Sequence, residues 1–66
     1  MIRVRTFTTP LNVFAAAREL HELDRQVTAF LNSEGATRVF SVSDATTTGE
    51  HGETIGLIRT VAYEVK

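Results

Sequence analysis

Two histidines, a hydroxyl-rich stretch and four arginines on or near strands are the side chains of this 66-residue chain that could do chemistry. His51 stands in GEHGE between Glu50 and Glu53, a composition that suits a metal. A metal needs three or four converging ligands, which neighbours within one short loop seldom provide, so a solvated loop tip is expected. His21 lies near Asp24 and Arg25 and is expected to bond a carboxylate at the edge of a helix's apolar stripe. A general base would need far more geometry than that spacing implies. Ser41, Ser43, Asp44 and Thr46 to Thr48 supply hydroxyls, but no nucleophile elbow or base accompanies them. Gly49 and Gly52 precede a strand instead of a helix, so they form no phosphate-cradling loop. The sequence therefore assigns no catalytic residue, no metal ligand and no cofactor.

Arg3 and Arg5 alternate with Ile2 and Val4. They are expected on an exposed, charged strand face that resists edge-to-edge association. The functional alternative is a small anion-binding patch joined by Arg38 and Arg59. Phe7 and Phe40 could then act as stacking platforms for bases. A net charge of −1 argues against nucleic acid as a partner. Tyr63, the single tyrosine, is expected to pack with its hydroxyl at the rim.

Length and composition set the frame. A chain of this size hides only about 60% of the surface its unfolded form exposes, so its stability is marginal without help. The absence of cysteine removes disulfides and thiolate metal sites, and two histidines are a poor basis for a structural metal. Self-association is the remaining source of stability. No apolar run approaches the ~20 residues of a membrane span. The opening MIRVR lacks the long apolar core of a signal peptide, so a cytoplasmic protein is expected.

The elements that must position these side chains follow from periodicity. Ile2 to Thr8 alternates as a short strand. Thr9-Pro10 punctuates the chain, with either Thr9 or Asn12 as a helix cap. Val13, Ala16, Ala17, Leu20, Leu23, Val27, Phe30 and Leu31 then recur at spacings of three and four. That pattern predicts a helix from about Asn12 to Ser33, or from nearer Arg18 if Pro10 to Ala16 is loop. Glu22 and Arg25 suit a surface pair on it. Gly35 stops it in the left-handed conformation. Thr37 to Thr47 is a second strand, Thr48 to Glu53 a hairpin loop, and Thr54 to Val65 a third strand. Gly56 marks a bulge or a close backbone approach.

The third strand is apolar on both faces and so belongs in the centre. The expected fold is α+β: a single βαββ domain over residues 1–66, with a three-stranded sheet in the order 1-3-2 and one helix on one face. Two apolar sets are expected on opposite faces. One is Phe7, Val39, Ile58 and Ala62; the other is Ile2, Val4, Phe40, Val42, Leu57, Val61 and Tyr63. One helix covers one face, so apolar surface remains on the other. A homo-oligomer built by packing sheet faces or joining strand edges is expected, with a two-fold dimer as its simplest form.

The element order resembles the dodecins, small strand-helix-strand-strand proteins that form hollow dodecamers and bind flavins. The likeness extends over most of the chain, including GEHGE and the alternating final strand. The flavin-stacking tryptophan of that family has no counterpart here, so no binding residue carries over. LDRQVTAFLNSEG leading into VFSVS, with IGLIRTVAYE at the end, is similar to short uncharacterised bacterial proteins that include a sporulation-associated group; this resemblance implies a fold and no activity. Tautomerases share the size, but their catalytic N-terminal proline is replaced by Ile2, and Pro10 has no free amine. A non-catalytic, self-associating interaction or scaffold module is the leading expectation. Flavin-like small-molecule binding at a subunit interface comes second, and weak nucleic-acid binding through the arginine-bearing strand third.

Overall fold

A computed structural model describes residues 1–66. Strand β1 spans Ile2–Pro10, helix α1 Ala16–Ser33, strand β2 Arg38–Thr48 and strand β3 Thr54–Glu64. The sheet has the order β1-β3-β2, and β3 runs antiparallel to both neighbours. The fold is therefore the expected βαββ arrangement, with the most buried strand in the middle.

The helix begins at Ala16, between the two expected onsets and nearer the later one. Pro10 does not open it; that residue closes β1 opposite Gly56. Asn12 does not cap it either, because both its backbone N–H and its side-chain amide donate to the Glu19 carboxylate (3.0 and 2.7 Å). Ala15 occupies the cap position with no side-chain hydrogen bond. Val13 thus falls outside the stripe to which its spacing assigned it. The other end is well made. Gly35 has φ of 67°, its N–H reaches the Asn32 carbonyl at 3.2 Å, and Ala36 N–H reaches Leu31 at 3.0 Å. These two bonds form a Schellman motif, and its apolar pair, Leu31 and Ala36, packs on the core.

Leu23 and Val27 of α1 pack on Leu57, Val61, Tyr63 and Val65. Phe7, Phe30 and Tyr63 extend this core as a row of edge-to-face rings at 5.5 and 5.6 Å, an arrangement aromatic quadrupoles favour. Tyr63 is buried, and its hydroxyl donates to Glu34 at 3.3 Å at the core's rim, as expected.

The register corrects the grouping of apolar residues. Directly opposed residues share a face. Arg5 opposes Val61 and Phe7 opposes Arg59, so Phe7 belongs with Leu57, Val61 and Tyr63 on the helix side. Val4 opposes Ala62 and Thr8 opposes Ile58, so Ile2 and Val4 join Ile58 and Ala62 on the far side. On β2, Val39 opposes Tyr63 but Ser41 opposes Ala62, which leaves Phe40 as the extra residue of a bulge. The bulge restores Val42 to the helix side, opposite Val61. Simple alternation from Val39 would have sent Val42 to the other face.

Gly56 is the predicted close approach. A Cβ there would lie 2.7 Å from Thr47 Oγ1 and 3.3 Å from the Thr9 carbonyl oxygen.

Candidate interaction surface

The charged groups do not gather into one site. Arg59 projects from β3 between two carboxylates: its Nε and Nη2 donate to Asp44 of β2 at 2.8 and 3.0 Å, and Nη1 donates to Asp24 of α1. These bonds hold the Asp44 carboxyl below its ordinary pKa, the Arg59 hydrogen bond being the main cause, and they hold the guanidinium more firmly protonated. Arg3 donates to Glu34 at 3.1 Å. Arg5 stacks on Phe30 at 4.9 Å and near Phe7 at 5.6 Å. Arg3 and Arg5 thus share the helix side of β1 with Phe7, and both stay exposed. Their long stems follow the apolar surface while the heads stay in water. Arg38 lies on the opposite side of the sheet, opposed to Glu64 and stacked on Phe40 at 5.0 Å. The four arginines of the alternative anion-binding patch are therefore divided between the two faces, and two of them are paired with carboxylates.

His21 lies on the outward face of α1 and bonds no carboxylate; the nearby Asp24 is taken by Arg59. His51 sits at the tip of the β2–β3 loop, where its backbone N–H donates to Glu53 at 3.1 Å. No three carboxylate or imidazole groups converge as metal ligands. Glu22 and Arg25 form the expected surface pair at 3.4 Å. The one surface depression is open and lies on the outward side of α1, lined by His21, Asp24, Arg25 and Asn32 among others.

The far face of the sheet has a different character. It presents Ile2, Val4, Thr6 and Thr8 from β1; Ile58, Thr60 and Ala62 from β3; and Ser41, Ser43 and Ala45 from β2. Phe40 joins them, placed by the bulge beside Arg38. The chain has seven basic and eight acidic residues, yet on this face only Arg38 and Glu64 are charged, and both are at one end. Ile2 and Val4 remain 63% and 64% exposed. No helix or loop covers them.

A second bare strip lies on the helix side. The core cluster draws nothing from β2, and α1 approaches β1 most closely. Val39 and Val42 consequently stay about half exposed beside the helix. The sequence reading located the surplus apolar surface on the far face but not here, because the lateral position of a helix over a sheet leaves no mark on periodicity. No helix is long and apolar enough to cross a membrane. Comparison with known proteins identifies no relative: no family model, curated protein or solved structure matches the chain.

Proposed function

We propose that this protein is a non-catalytic interaction module that associates with a second copy of itself, sheet face to sheet face. The observation that supports this reading most is the far face, charged only at the Arg38–Glu64 end, where Ile2, Val4, Phe40, Ile58 and Ala62 lie among threonines and serines with no helix over them. A three-stranded face about 14 Å wide and nine residues long has a footprint on the order of 400 Å² before its relief is counted. With relief, that approaches the ~800 Å² per partner of a specific pair. Stacked sheets pack about 10 Å apart, which the medium-sized side chains here can fill. A two-fold axis through such a face makes the contact self-complementary.

Sedimentation of the pure protein at micromolar concentration tests the proposal. A mass above the 7.3 kDa of one chain is expected. Val4→Lys and Ile58→Lys each place a charge in the contact and should lower that mass. Val4 is largely exposed in the single chain, so its replacement leaves the fold intact and keeps the test readable. A stable lone chain, or a Val4→Lys variant with unchanged mass, would sink the proposal.

A further inference from the structure

The far face of the sheet is not uniform along its strands. Ile2, Glu64 and Arg38 stand at one level across the three strands, and Val4, Ala62 and Ser41 at the next, with Phe40 bulged between the two on β2. Toward the other end Thr8, Ile58 and Ala45 share a level, followed by Pro10, Gly56 and Thr47. One half therefore holds Ile2, Val4 and Phe40 together with both charges of the face. The other half is hydroxyls and small side chains around Ile58. Arg38 and Glu64 oppose each other on adjacent strands, yet neither belongs to an ion pair within the chain. Arg38 lies over the Phe40 ring instead, at 5.0 Å.

Two aligned sheets related by a two-fold axis can stack face to face in two ways. With the axis across the strands, the levels run in opposite senses. Ile2 and Val4 then meet Pro10 and Thr8 of the partner subunit, and Arg38 and Glu64 meet Thr47 and Gly56 of the partner subunit. That arrangement spreads the apolar half over hydroxyls and gives neither charge a counter-charge. With the axis along the strands, equal levels meet: β1 of each copy covers β2 of the other, and the two β3 strands cover each other. Ile2 then lies on the stem of the partner's Arg38, and Val4 on the partner's Phe40. The two Glu64 carboxylates face each other across the axis, each flanked by an arginine one strand spacing away, ~4.8 Å, from the other copy. Apolar surface and charge both match only in this second arrangement. We infer that two copies pair about an axis running along their strands, and that Arg38 of each bridges to the partner's Glu64. The inference rests on the face packing proposed above and adds its orientation and the residues that select it. Charges placed in this way fix register and exclude wrong pairings more than they add affinity.

Two measurements test it. Arg38→Glu and Glu64→Arg each set like charges against one another between copies, so each variant alone should pair about tenfold more weakly or worse than wild type. An equimolar mixture of the two restores both opposite-charge contacts and should return to the wild-type mass in sedimentation. Each variant also opposes like charges within its own chain, which mixing leaves in place, so recovery in the mixture reads the contact between copies alone. The second measurement is a distance. The chain contains no cysteine, so Thr54→Cys carries a single nitroxide label, at an exposed position in the half away from the charges. Thr54 stands about 20 Å along β3 from the middle level at Thr60. An axis along the strands leaves the two labels of a pair roughly 15 Å apart, whereas an axis across them separates the labels by about 40 Å. Pulsed dipolar spectroscopy should give a separation under about 25 Å, and a longer one overturns the inference. A mixture that pairs no better than its components also overturns it. Either failure in a wild type that sediments as a pair, and that Val4→Lys dissociates, leaves the face packing standing in another orientation. A wild type that sediments as a lone chain sinks both.

Discussion

Arg59 lies in the most apolar strand, where an unpaired charge would be costly. Asp24 and Asp44 remove that cost from either side and tie β3 to both α1 and β2. Asp44 binds a proton less readily in the folded chain than in the unfolded one. Its contribution is therefore fully present above the ordinary carboxylate value of 3.8 and is lost as pH falls through the lower folded value. Asp44→Asn should destabilise the protein at neutral pH, by no more than about 1 kcal/mol because 41% of the side chain stays in water. The gap between variant and wild type should close as pH falls below that carboxylate range. Urea midpoints at pH 7 and in acid check both statements; a gap that widens in acid would contradict them. Gly56 offers a second test. Its substitution by alanine pushes a methyl against Thr47 Oγ1 and the Thr9 carbonyl. The first can rotate away, whereas the second is backbone. Gly56→Ala should cost about 1–2 kcal/mol, and Thr47→Ala in the same chain should recover only the share due to the hydroxyl.

Among the elements, α1 supplies most of the cover that β3 receives. Leu23 and Val61 are the most deeply buried side chains and meet in this contact. Leu23→Ala should cost about 2–4 kcal/mol, enough to abolish a sharp thermal transition in a domain this small; a cooperative melt near the wild-type temperature would show that the helix matters less. The elements themselves were legible in the sequence. Leu20, Leu23, Val27, Phe30 and Leu31 declare a helix face, Gly35 its end, and the two-sided apolarity of β3 its central place. Registers were not. Cross-strand partners depend on how β1 lines up with β3, and nothing in Ile2 to Thr8 distinguishes one alignment from the next. The Phe40 bulge inserts a residue without any glycine or proline to announce it, so alternation kept Val42 with Val61 but put Val39 on the wrong face. The helix onset was left open between about Asn12 and nearer Arg18, and Ala16 falls nearer the second. Glu19 competes for Asn12 and withdraws it from capping, a pairing across seven residues that local propensity does not contain. Val13 and Phe14 stay exposed in the turn that this pairing closes, so Val13 drops out of the stripe to which its spacing assigned it.

At the scale of the whole molecule the shape itself argues for a partner. The Cα trace extends 44 × 19 × 11 Å with a radius of gyration of 13.4 Å. A compact chain of this length would have about 11 Å. An 18-residue helix is about 27 Å long, whereas 11-residue strands reach about 36 Å, so the β2–β3 hairpin outruns its cover. A slab one helix and one sheet thick has little interior: six apolar residues are buried, and both outer strands are largely exposed. If the missing cover comes from other copies, folding and association are one equilibrium, and stability must depend on protein concentration. Raising the concentration a hundredfold then favours the folded pair by roughly 2.7 kcal/mol. For a domain of this size that corresponds to a melting temperature higher by about 10 °C or more. Scanning calorimetry at two such concentrations reads the shift directly. Val4→Lys, which removes the face contact without touching the core, should melt at a lower temperature and respond less to concentration. A wild-type melting temperature that does not move with concentration would mean that the single slab is stable alone, and its bare apolar strips would then need another occupant.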